Sequence, residues 1–112
     1  MRVYFLALFV LPTQSLTWVK GAKGADCNTV CSSRDGCDEN AWPKSLGEFE
    51  DVLEISGYTC EGIQSGGAPF DPSTDGTYCG WEGVTSSRKP RCGEKTDSGT
   101  FRFCPCVSDR EL

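Results

Sequence analysis

Eight cysteines, at positions 27, 31, 37, 60, 79, 92, 104 and 106, carry the densest chemistry in this sequence of 112 residues. Thiols can bridge, bind metal or attack a substrate, and the surrounding residues decide which. The chain has no histidine, so the usual general base and triad partner are missing, and no serine sits in a nucleophile-elbow setting. Paired carboxylates remain a catalytic option, for example Glu48 with Asp51, but helix capping and solvated charge explain these two equally well. No residue is therefore assigned to catalysis. Metal thiolates are a further option, because Cys-x-Cys occurs in metal sites, and Cys104-Pro105-Cys106 has that form. A chain that passes through an oxidising compartment spends its thiols on bridges instead. Disulfides are the expected chemistry, with no metal and no cofactor.

The first residues give that compartment. Met1-Arg2, the apolar run Val3 to Leu11 and Pro12 read as a secretory signal, too short to span a bilayer. Small residues allow cleavage anywhere between Ser15 and Gly21, and the signal is placed at 1–21. A cysteine-rich module at 26–106 and a loose polar tail at 107–112 follow. From Asp26 onward eight Lys and Arg face sixteen Asp and Glu. So acidic a chain is a poor partner for nucleic acid or anionic membranes. The local exception is Arg88-Lys89-Pro90-Arg91, read as a solvated loop or, alternatively, a site for an anion or acidic partner.

Positioning eight sulfurs needs elements. Cys104 and Cys106, separated by a stiff proline, are poor partners for each other. On a strand they share one face, roughly 6.6 Å apart. Cys27 and Cys31 share a helix face with an axial offset of roughly 6 Å. Helix and strand can thus be joined twice, in either of two pairings. Asp26 can cap that first short helix. A second helix is signalled by Ser45-Leu46-Gly47-Glu48, which has capping-box spacing. Leu46, Phe49 and Leu53, with Val52, form its apolar stripe, and Gly57 is its stop. Beyond it, Tyr58-Thr59-Cys60, Thr77-Tyr78-Cys79 and Thr100 to Cys104 read as short strands between turn-rich loops. The fold class is a small disulfide-rich α+β domain: two short helices, a few short strands and long loops, stapled by four disulfides.

The cysteine frame as a whole resembles a known family. Cys27-x3-Cys31-x5-Cys37, the aromatic-proline ending of Cys37-Asp38-Glu39-Asn40-Ala41-Trp42-Pro43, then Cys60, Cys79, Cys92 and Arg102-Phe103-Cys104-Pro105-Cys106 are similar to the cysteine-rich C-terminal segment of N-acetylglucosaminyltransferase V. That enzyme, of glycosyltransferase family 18, adds a β1,6-linked GlcNAc branch to N-glycans. The likeness covers essentially the whole module, but the family's catalytic region has no counterpart in this sequence. What the resemblance implies is a non-catalytic accessory module, with Cys27 joined to Cys104, Cys31 to Cys106, Cys37 to Cys92 and Cys60 to Cys79.

The function expected is recognition by a secreted monomer, with a protein or a glycan as partner. Trp42, Phe70, Tyr78 and Trp81 are the candidate binding residues, since aromatics among Gly and Ser serve both glycan and protein contacts. The same rings can instead fill a core poor in aliphatics, and Trp81, beside Gly80 and Gly83, is the one expected at the surface. A secreted toxin, protease inhibitor or effector has the same size and cysteine density. Extracellular release is expected. Retention in the ER or Golgi lumen is the alternative, because Glu111-Leu112 ends the chain as a retrieval signal does, although Arg110 stands where that signal has an acid.

Overall fold

The computed structural model describes residues 16–64, 67–83 and 90–110. The N-terminal segment up to Ser15, the cations Arg88 and Lys89, and the final Glu111-Leu112 lie outside the described residues. Two helices and a five-stranded sheet are held by four disulfides, which is the α+β class expected.

Strand β5 (Phe101–Cys106) divides the molecule. Its side chains alternate, so Arg102, Cys104 and Cys106 face one way while Phe103 and Pro105 face the other. All five are buried. The Phe103 face meets Trp18, Phe49, Val52 and Cys79 in the larger core. The Cys104 face meets Cys27, Cys31 and Cys92 in a second core built from sulfur. Each helix covers one face. Helix α1 (Cys27–Val30) is a single turn, and its N-cap Asp26 accepts the Thr29 N–H. One turn is not stable alone. Bridges Cys27–Cys104 and Cys31–Cys106, with Cα atoms 5.2 and 5.1 Å apart, hold it against β5. Cys37–Cys92 and Cys60–Cys79 complete the set.

Helix α2 (Leu46–Ser56) starts at Ser45, whose Oγ accepts the Glu48 N–H at 3.1 Å. The return bond of Glu48 goes one residue further upstream than the capping box predicts, to the Lys44 N–H at 2.7 Å. Phe49 and Val52 are buried and Leu53 is half-buried, but Leu46 is 47 % exposed. The apolar stripe therefore begins at Phe49, the fourth residue of the helix. Gly57, with φ 74°, ends the helix, and Tyr58 donates its N–H back to Leu53.

Four expectations change. Strand β1 (Thr17–Lys23) pairs antiparallel with β5, with Thr17 opposite Cys106 and Val19 opposite Cys104. The ordered sheet thus begins before Asp26, the boundary drawn from the sequence, and Trp18 at 6 % exposure belongs to the larger core. The middle strand is β2 (Gly62–Gln64), not Tyr58 to Cys60. Tyr58 is taken by the helix stop and by an edge contact with Phe103, ring centroids 5.8 Å apart. The turn-rich Asp71–Gly76 segment contains strand β3 (Ser73–Thr74), which sits between β5 and β4 (Tyr78–Gly80). The sheet order is β1-β5-β3-β4-β2, with β2 parallel to β4. The tail is also tied down as far as Asp109. Val107 and Ser108 donate to the Gly36 and Arg34 carbonyls, and Arg34 reaches the Asp109 carbonyl.

Candidate functional site

The sheet face that carries Arg102 also carries Ser73, Gly80 and Tyr78, because Ser73 lies opposite both Arg102 and Gly80. Chain 67–71 closes over part of that face. Between the two runs a groove of about 290 Å³, whose wall includes Gln64, Phe70, Asp71, Thr74 and Tyr78. Two glycines let the Tyr78 ring and the Asp71 carboxylate lie close against the sheet. A Cβ on Gly62 would lie 3.1 Å from the Tyr78 ring, and one on Gly80 would lie 3.2 Å from the Asp71 carboxylate. Tyr78 lies over its strand partner and is 44 % exposed.

Asp71 is 5 % exposed. Its carboxylate accepts the Ser73 hydroxyl at 2.8 Å and the Ala68 N–H at 3.2 Å. Burial raises its pKa, and the hydrogen bonds from Ser73 and Ala68 and the charges of Arg91 and Arg102 offset only part of that.

The four aromatic candidates do not form one surface. Phe70 and Tyr78 share the groove. Trp42 is a structural ring: it meets Trp18 edge-on at 6.1 Å, donates its indole N–H to Glu39, and lies 5.3 and 5.7 Å from the Arg91 and Arg102 guanidiniums. Trp81 is half-buried and packs on the larger core, with its remaining surface in a separate cleft. Tyr78, not Trp81, is the exposed ring of the four.

Arg91 is also not part of a solvated loop. Its guanidinium donates to the Asp71 and Glu82 carbonyls at 3.2 and 3.3 Å. Glu48, for its part, serves the start of α2.

Three residues that organise the site escaped sequence reasoning. Arg102, with 0 % exposure, donates to the Phe70, Cys92 and Glu94 carbonyls and so draws two loops onto β5. Its Nη2 is buried without a hydrogen-bond partner among the described residues, and burial pushes its pKa down to about 10. Glu39 accepts the Arg91 and Cys92 N–H groups at 2.8 and 2.9 Å in addition to the Trp42 indole. Asp71 is the third. A charge within a strand buried on both faces is the one signal that could have marked Arg102.

All eight sulfurs are in bridges, which leaves no thiolate to bind a metal. No helix among the described residues is long and apolar enough to cross a membrane. Four disulfides are consistent with an extracellular or lumenal protein. Comparison with known proteins finds no matching family model, no matching curated protein and no matching solved structure.

Proposed function

We propose that this chain is a secreted, non-catalytic recognition module that binds a neutral glycan in the groove between Tyr78 and Asp71. The observation that carries this reading is a carboxylate held inside the groove wall beside a half-exposed tyrosine. An asparagine with its oxygen toward the Ala68 N–H and its NH2 toward the Ser73 oxygen could fill the same place without bringing a charge out of water, so the turn alone does not call for Asp71. A sugar does give it a use: a carboxylate accepts from hydroxyl groups, and the apolar face of a pyranose rests on an aromatic ring. The resemblance to the C-terminal segment of N-acetylglucosaminyltransferase V supports a place in N-glycan biology, since the four bridges are those it implies.

The test is a binding screen of the folded chain against neutral N-glycans, repeated with Tyr78→Ala and Asp71→Asn. Each substitution should weaken binding at least tenfold, about 1.4 kcal/mol, without lowering the melting temperature. Wild-type binding by both variants, or no glycan bound at all, would remove the reading. Capture of a protease in place of a glycan would move the chain to the inhibitor class.

A further inference from the structure

Strand β1 stands at the edge of the sheet, and its pairing with β5 fixes which of its main-chain groups point outward. Phe103 donates its N–H to the Pro72 carbonyl, and the Pro105 carbonyl accepts the Asp38 N–H. Both residues thus spend their main-chain bonds on the side of β5 away from β1. The residues opposite them, Lys20 and Trp18, form pairs without mutual hydrogen bonds, so the N–H and C=O groups of Trp18 and Lys20 face away from the sheet. We propose that this edge takes an extended acidic segment of a partner protein as an additional strand. The glycan groove lies at β3 and β4, across the sheet from this edge, and the two sites are independent.

The side chains at the edge select an acidic segment. From Lys20 to Lys23 the chain advances three residues while β5 advances two, from Phe103 to Phe101. A regular strand would send Lys20 and Lys23 to opposite faces. The extra residue turns Lys23 to the face of Lys20. Gly21 seats this bulge against α1, since a Cβ there would lie 2.5 Å from Val30 Cγ2. Both ammoniums converge on one ring: Nζ of Lys20 lies 4.0 Å from the Phe101 centroid and 5.4 Å from that of Tyr58, and Nζ of Lys23 lies 5.8 Å from Phe101. A ring attracts a cation but carries no net charge, so these contacts place the ammoniums without neutralising them. Among the described residues neither lysine ion-pairs with a carboxylate.

On the other face of β1, Val19 packs on the sulfur core. A segment with acids opposite Trp18 and Lys20, and apolar residues between them beside Val19, matches both faces of the edge. A second copy of β1 fits less well, because it brings two more lysines to an edge that already holds two. Lysines and bulges are how edge strands discourage pairing with their own kind.

The test follows amide hydrogen exchange of the full chain with three blocked pentapeptides: one alternating glutamate and valine, its lysine counterpart, and the glutamate peptide N-methylated at every glutamate. In the free chain the Trp18 and Lys20 amides should exchange faster than the Val19 amide, which the ladder turns toward Cys104. Excess glutamate peptide should slow Trp18 and Lys20 by about tenfold or more, and the other two peptides should not. Lys23→Gln, at an exposed position, should weaken the glutamate peptide about threefold or more at an unchanged melting temperature. Equal protection by the glutamate and lysine peptides, or an unaffected Lys23→Gln, would overturn the acidic assignment. Equal binding of the N-methylated peptide would overturn strand addition. Protection of Trp18 and Lys20 that rises with protein concentration in the absence of peptide would give the edge to a second copy and overturn the proposal, and so would a failure of every peptide to protect them.

Discussion

Arg102 and Asp71 are both charged and both inside, yet they do different work. The Arg102 fork reaches the Phe70, Cys92 and Glu94 carbonyls, a span that one ammonium cannot cover. Arg102→Lys should therefore lower unfolding free energy by on the order of 3 kcal/mol in urea titration, since buried acceptors are left without donors. A loss within error of zero would show that water replaces the fork. Asp71 makes a prediction about pH. Burial raises its carboxyl pKa above the ordinary 3.8, so between that raised value and 3.8 the folded state holds the proton more tightly than the unfolded state. Its contribution to stability grows as pH falls through this window. Asp26 and Asp75 have the opposite sign. The hydrogen bonds from Thr29, and from the Tyr78 and Thr77 N–H groups, lower their pKa values, and the stability they contribute is lost below 3.8. Asp71→Asn should then gain most on the wild type at neutral pH, with the difference in melting temperature shrinking as the wild-type Asp71 takes up its proton. A pH-independent difference would mean that the charge is already solvated in the groove.

At the scale of elements, legibility followed how locally each signal was written. Both helices could be read because their determinants lie within four residues: Asp26 with Thr29, Ser45 with Glu48, and Gly57 at the stop. Strands β4 and β5 were read to within a residue or two, but β3 and β2 were not, because they are two and three residues long and exist only by pairing with β4 and β5. Tyr58 has strand character on its own, yet the end of α2 claims its N–H first. In the groove, Tyr78 and Phe70 were legible as aromatics. Asp71 was not, since its burial follows from the placement of chain 67–71 over β4. Strand β1 was hidden for a different reason: Leu16-Thr17-Trp18-Val19 follows the apolar run Val3 to Leu11 after only four residues and reads as part of the same N-terminal segment. Its pairing bears on processing. A chain beginning at Leu16 keeps all of β1, whereas one beginning at Ala22 loses Trp18, its contact with Trp42 and the pairing of Thr17 to Lys20 with β5. Removing a buried tryptophan costs about 3–5 kcal/mol. The longer chain should fold with four bridges, and the shorter should give scrambled disulfides or a melting point lower by ten degrees or more. If secretion involves cleavage in the Ser15 to Gly21 window, N-terminal sequencing of the secreted protein should find the cut before Thr17.

The whole molecule is closed by two cross-links that lie almost on top of each other. Cys27–Cys104 and Cys31–Cys106 span 77 and 75 residues and join the same turn to the same strand. In the unfolded chain either one alone closes nearly the whole loop. With Cys37–Cys92 kept, the first of the two links closes about 22 further residues and is worth about 3.4 kcal/mol by the chain-entropy relation, whereas adding the second closes only about 6 more and is worth about 2 kcal/mol. The bridges are thus redundant in the unfolded state. They are not redundant in the native core, where all four sulfurs are buried. Replacing Cys27 and Cys104 together by alanine should cost about 2 kcal/mol plus the lost packing, and the Cys31 and Cys106 pair should behave alike. Removing all four should cost more than the sum of the two, by about 1 kcal/mol, because the last link to go takes the larger loop with it. Denaturant midpoints of the three variants, each with Cys37–Cys92 and Cys60–Cys79 verified by non-reducing peptide mapping, measure this excess. A strictly additive result would show that the unfolded chain is already compact enough for the first link to restrict it little, and would place the value of these bridges in the packing of the sulfur core.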